Sequence, residues 1–149
     1  MADSIENVLV DPAPIFQGIG FPFRRGGDQI PAVSADDQLI ADTIAQLILT
    51  SPGERVMRPE LGSAATTFVF ETNKETLAAL VRSTIGNTIA RYEPRVVVRS
   101  IDVERLDSAK TSVASKDSVL ITVKYVVPAT QEQNSVSIQV GMNEGVVNT

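Results

Sequence analysis

Thr72-Asn73-Lys74-Glu75-Thr76-Leu77-Ala78-Ala79-Leu80-Val81-Arg82-Ser83-Thr84-Ile85-Gly86-Asn87-Thr88-Ile89-Ala90-Arg91-Tyr92-Glu93-Pro94-Arg95-Val96-Val97-Val98 is the stretch that decides the fold. Thr72 and Glu75 have the spacing of a capping box, in which hydroxyl and carboxylate each satisfy a backbone N–H at a helix start. Leu77, Leu80, Val81, Thr84, Ile85, Thr88, Ile89 and Tyr92 then recur at steps of three and one. That spacing puts them on one face and predicts a helix lying on a core. Pro94 stops it, because its ring drives Glu93 out of the α region and sends the chain on extended. Val96-Val97-Val98 opens a β-branched segment, so helix gives way to strand within a few residues.

Outward from this stretch the pattern stays regular. Downstream, Val96 to Val103, Val119 to Val126, and Val136, Ile138 and Val140 read as three antiparallel strands. Polar segments at 106–117 and 128–134 separate them as surface loops. Upstream, Ser34 followed by Asp37 looks like an N-cap with an acid three places on, and Ile40, Ile44, Leu47 and Ile48 predict a first helix over about 35–50. Pro52 and Gly53 end it, the first by lacking an N–H and the second by tolerating positive φ. Residues 1–33 carry Phe16, Phe21 and Phe23 among prolines and glycines, which suits an extended arm whose phenylalanines close the core or dock on a neighbour. The expected class is α+β: two main helices packed on a small antiparallel β-sheet, with the sheet a C-terminal meander. The domain reading is an N-terminal extended arm over 1–33 and one α+β domain over 34–149.

Composition removes many chemistries. The 149 residues contain no Cys, His or Trp, which excludes thiol nucleophiles, disulfides, His general bases and Cys/His metal sites. Asp36 and Asp37 are accounted for by the helix N-terminus, so no metal or other cofactor is assigned. A net charge of -5 argues against nucleic acid as the main partner. No apolar run is long enough to span a membrane, and the first residues lack a basic signal-peptide start, so synthesis in the cytoplasm is expected.

Two charged runs remain. In Glu93-Pro94-Arg95 the extended backbone places both charged side chains on one side of a corner fixed by proline. Glu93 also meets the negative end of the helix dipole and calls for a partner. Three readings fit: an ion pair of Glu93 with Arg95 or Arg91, a clamp between this corner and Glu54, Arg55, Arg58 or Glu60, or a charged surface presented to another protein. The run Gly53-Glu54-Arg55-Val56-Met57-Arg58-Pro59-Glu60-Leu61-Gly62-Ser63 reads as an ordered loop.

Gly18-Ile19-Gly20-Phe21-Pro22-Phe23, the 53–63 run, Phe70-Glu71 and Arg91-Tyr92-Glu93-Pro94-Arg95-Val96 occur in that order, and together they resemble the gp25/gpW-like family of baseplate wedge proteins. Such proteins serve contractile phage tails, with relatives in type VI secretion and extracellular contractile injection systems. The chain departs from the family pattern at Leu61, where Phe is more usual, and at 64–68, where a longer aliphatic run is usual. The resemblance implies a structural baseplate component that links wedge proteins and nucleates the first ring of contractile sheath. It implies wedge proteins, the sheath protein and tail-tube or hub proteins as partners, and six copies per baseplate. It also implies a location in the baseplate of a phage virion tail or an injection system. Glu93, Pro94 and Arg95 would contact the helical core bundle of the wedge, with Gly53, Glu54, Arg55, Arg58, Pro59 and Gly62 forming a supporting loop.

Ser135 to Met142 holds neither charge nor proline, the usual devices that blunt an exposed sheet edge. The strand is either covered within the sheet or kept open for a partner. The resemblance favours the open edge, with Val136, Ile138 and Val140 marking where an incoming strand adds by β-augmentation. A lysozyme-like activity on peptidoglycan is the alternative function. It would need two facing carboxyls, for which Glu54, Glu60, Glu71 and Glu93 qualify by residue type alone, and the only tyrosines are Tyr92 and Tyr125. The chain is therefore expected not to be an enzyme.

Overall fold

A computed structural model describes residues 13–26, 32–70, 73–106, 118–141 and 146–148. Strand β1 (Gln17–Ile19) pairs antiparallel with β2 (Val33–Ala35), and β2 runs into helix α1 (Asp36–Leu49). A 3-10 helix (Ala64–Phe70) precedes α2 (Lys74–Tyr92). Strands β3 (Val97–Leu106), β4 (Ser118–Val127), β5 (Glu132–Gly141) and β6 (Val146–Asn148) form one sheet in the order β3-β4-β5-β6, all antiparallel neighbours. Two helices packed on one face of an antiparallel sheet make this the expected α+β class. β6 is an addition to the expected meander, and β5 starts at Glu132, inside the segment read as a loop. The 106–117 loop lies outside the described residues apart from Leu106, the end of β3.

Period-two alternation places the core. Val119, Ile121, Val123, Tyr125 and Val127 of β4 are buried, as are Val136, Ile138 and Val140 of β5. They pack against Ile40, Ile44 and Ile48 of α1 and Leu77, Val81, Ile85 and Ile89 of α2. The opposite face is polar, with Thr122 and Ser137 hydroxyls 3.1 Å apart and Lys124 3.2 Å from Asp102. An antiparallel sheet with one solvated face follows directly from this alternation. Tyr125 is 2% exposed. Burial first, and then the charge of Asp37, pushes its phenol up to about 12. The folded state thus holds a proton that the unfolded chain releases near pH 10, so stability is intact below that pH and falls as pH rises toward 12. Alkaline unfolding should cost about 2–3 kcal/mol over this window, and Tyr125→Phe should remove the late step from an ultraviolet titration.

Helix starts differ from expectation by one residue each, for a physical reason. Ala35, not Ser34, is the cap residue of α1, and it makes no side-chain cap bond. The Ser34 hydroxyl donates instead to Asp42 Oδ2 at 2.7 Å. In α2 the cap is Asn73, whose Oδ1 accepts from the N–H groups of Glu75 and Thr76, while Thr72 lies outside the described residues.

The arm is tied to α1 by acids. Asp36 Oδ1 accepts from the N–H groups of Ile15 and Phe16 at 2.8 and 2.9 Å. Buried Asp42 accepts from Phe21 N–H and Ser34 at Oδ2 and from Gln38 at Oδ1. Of the three phenylalanines only Phe16 packs on the core; Phe21 is half-buried and Phe23 is 72% exposed. Of the two readings, core closure therefore holds for Phe16 and not for Phe23, whose ring is turned to solvent.

Candidate functional site: the corner after the second helix and its loop

The last turn of α2 positions everything at this end of the molecule. Glu93 N–H still donates to Ile89 O at 2.8 Å, but the residue has left helical geometry with φ -129 and ψ 71, as Pro94 requires. Glu93 is only 2% exposed. Arg95 donates to it through two parallel bonds, Nε to Oε1 at 2.5 Å and Nη2 to Oε2 at 2.6 Å. The Arg95 guanidinium also lies 5.0 Å from the centre of the Phe16 ring. Fork to carboxylate and face to ring is the geometry in which arginine differs most from lysine. The Glu93 hydrogen bond, helped by its charge and opposed by burial, raises the Arg95 guanidinium above its ordinary value. A raised pKa in a cation keeps its contribution whole below the unfolded value, so Arg95 stays charged throughout the neutral range.

Of the three readings of this corner, the ion pair of Glu93 with Arg95 is the one formed. Glu93 turns inward and its carboxylate is engaged by Arg95, offsetting the unfavourable helix dipole. The corner shows solvent an exposed Pro94 and an Arg95 side chain that is 33% exposed. Among the described residues no further protein group accepts from the remaining N–H groups of Arg95.

The clamp by loop charges is not what the structure contains. Neutral groups of α2 hold the loop: Tyr92 hydroxyl donates to Glu60 O at 2.8 Å, and Thr88 Oγ1 lies 3.3 Å from Gly62 O and 2.9 Å from Thr84 O. Ser63 N–H donates to Thr50 O, Ser63 hydroxyl donates to Ile48 O, and Gly53 N–H donates to Pro59 O. Glu54 turns back, accepting from Ser51 N–H at 2.9 Å. Gly53 and Gly62 both have positive φ, at 88° and 113°. Met57 also has positive φ, 64°, a conformation that costs a side-chain-bearing residue on the order of 1–2 kcal/mol. Sequence reasoning missed this residue, since nothing in an Arg-Val-Met-Arg run signals a left-handed turn. It also missed Asp42, although an acid inside the Ile40, Ile44, Leu47, Ile48 stripe was a signal that something would bond to it.

The predicted edge residues lie elsewhere. Val136, Ile138 and Val140 sit on β5 and point into the core at 1%, 0% and 4% exposure, so only their backbone faces the strand edge. β6 occupies that edge over Ser137 to Gln139. At the far side of the sheet, β3 has a register shift between Val98 and Ser100, and Arg82 Nε donates to Ile101 O at 2.8 Å. Among the described residues no cluster of acids could hold a metal, and no helix is long and apolar enough to cross a membrane.

A sequence model of the family described as baseplate wedge protein gp25 matches residues 34–132. A search of curated proteins gives no match. The crystal structure of a candidate tail lysozyme from Geobacter sulfurreducens is 25% identical and aligns with a TM-score of 0.62 over 74% of this chain and 95% of that one. A chain in the cryo-EM structure of the anti-feeding prophage baseplate, 6-fold symmetrised, is 22% identical with a TM-score of 0.58 over 87% of each chain. That second likeness is one of fold. Matched by the family over most of its length, the chain belongs to the gp25 family of baseplate wedge proteins and is a baseplate component.

Proposed function

We propose that this chain joins wedge proteins to one another and forms the platform on which the first sheath ring assembles, with six copies per baseplate. The observation that carries the reading is the Arg95 geometry. Glu93 and Phe16 fix the guanidinium in place, and part of its donor fork is unused by the described residues beside an exposed Pro94. A preorganised arginine loses little side-chain entropy on binding and suits backbone carbonyls or carboxylates at the end of a helical bundle. The sheath platform would use the β5–β6 side of the sheet, because the β3 edge is blunted by its irregular register, its charges and Arg82. An incoming strand would add through main-chain groups, with β6 either extended or displaced.

A hydrolytic role, raised by the name of the Geobacter protein, has weaker support. Glu93 is engaged by Arg95, and Glu54 by the Ser51 N–H. Among the described residues, a cavity of about 330 Å³ between arm and α1 holds one carboxylate, that of Asp42, and it is already hydrogen-bonded on both oxygens. Glycoside hydrolysis needs a second carboxyl across the cleft.

Arg95→Lys tests the proposal while keeping the charge. Loss of the planar fork should cut assembled baseplates at least tenfold (about 1.4 kcal/mol) with the domain still folded. Normal baseplate numbers by electron microscopy would refute the corner as a contact. In the same preparations Gln133→Lys with Ser135→Lys, both exposed on β5, should leave baseplates intact but bare of sheath.

A further inference from the structure

The tip of the 53–63 loop presents two apolar side chains to solvent. Val56 and Met57 are 91% and 94% exposed, so almost nothing of either side chain touches the protein. They are held there by a firm backbone. Gly53 N–H donates to Pro59 O at 2.7 Å, Arg58 N–H to Arg55 O at 3.2 Å, and Leu61 N–H to Arg58 O at 3.1 Å, with Met57 at φ 64° between them. Two apolar side chains at the summit of a pinned turn, in a strained backbone state, form a preorganised apolar knob. Arg55 and Arg58 flank it, both exposed and without a side-chain partner among the described residues. The loop's two acids lie outside this Arg-Val-Met-Arg tip: Glu54 is turned toward Ser51, and Glu60 follows Pro59, where its carbonyl accepts from Tyr92. The tip is thus locally cationic on a chain of net charge -5.

We infer that this tip inserts Val56 and Met57 into an apolar pocket rimmed by carboxylates on another baseplate protein. Arginines on the rim set orientation and encounter rate, while the apolar pair fills the desolvated centre. A lipid surface fits less well, since two side chains bury little area and the net negative charge opposes approach to anionic headgroups. The inference rests on the chain being a baseplate component and makes no use of Glu93 or Arg95.

The absence of cysteine makes the test clean, because Met57→Cys gives a single thiol. In the free chain this thiol should react with maleimide as a fully exposed one, and in assembled baseplates at least about tenfold more slowly. A benzophenone attached at the same position should cross-link to a different baseplate protein, at apolar residues within a few positions of Asp or Glu. Arg55→Glu with Arg58→Glu should reduce assembly at least about tenfold, whereas replacing both by Lys should not. An unprotected thiol in the particle overturns the inference. So does a cross-link to a second copy of this chain or to a site without acids, or retention of the free chain by phosphatidylserine vesicles. If Arg95→Lys baseplates assemble normally and still protect the thiol, the corner reading fails and the knob stands.

Discussion

Arg95→Ala should be the most destabilising single change at the corner, lowering stability by about 3 kcal/mol and the melting temperature by roughly 10 °C. The substitution removes both bonds to Glu93 and leaves a carboxylate that is 2% exposed without a countercharge. Breaking a buried pair from one side costs about 3–5 kcal/mol. The lower end applies here, because the Arg95 side chain is 33% exposed and water can enter the space it leaves. Phe16 loses its cation at the same time, which loosens the arm where Asp36 holds Ile15 and Phe16. Glu93→Gln should cost less, about 1–2 kcal/mol, since the stranded group is then a guanidinium that solvent reaches. A double-mutant cycle by urea denaturation should give a coupling near 2 kcal/mol. Coupling under 0.5 kcal/mol would mean that the pair behaves as a solvated surface contact, and the preorganised arginine behind the proposed function would lose its basis.

What could be read from residues alone follows the range of the interactions involved. The α2 stripe from Leu77 to Ile89 and the β4 strand from Val119 are local periodicities, and both emerge where the pattern places them except at Leu80, which is 38% exposed. β1, β2 and β6 have three residues each, too short for a period to register. The shared side of Glu93 and Arg95 was legible because spacing of two in extended backbone dictates it. The seat of the Arg95 guanidinium was not, since the Phe16 ring it lies over is far away in sequence. The same limit explains the loop: its charged residues drew attention, while the groups that fasten it are Thr88 and Tyr92 hydroxyls on the helix stripe, where they read as core. Ser34 was a sound cap candidate by type and was diverted by Asp42, eight residues on.

Gly62→Ala should unhook that loop, with a loss of about 3 kcal/mol or more. Gly62 has φ 113°, which any residue with a Cβ adopts under strain, at roughly 1–2 kcal/mol. Its Cβ would also collide with the carbonyl of Thr50, a backbone atom that cannot rotate away. Thr50 O is the acceptor for Ser63 N–H, so relief of the collision requires opening that bond and shifting Gly62 O from Thr88. Overpacking of this kind typically adds about 1–3 kcal/mol to the strain. Gly53→Ala is the internal control: it shares the positive φ, at 88°, but a Cβ there meets nothing within 4 Å. It should therefore cost only the backbone term, about 1 kcal/mol. Urea titrations of the two variants should differ by about 2 kcal/mol, and the difference isolates the close approach of Gly62 to α1 from its conformation. Equal losses would show that the loop base stands farther from Thr50 than described. A larger loss at Gly62, with the Val56 and Met57 knob no longer presented, would make the glycine the residue that couples α1, α2 and the loop into one rigid end of the molecule.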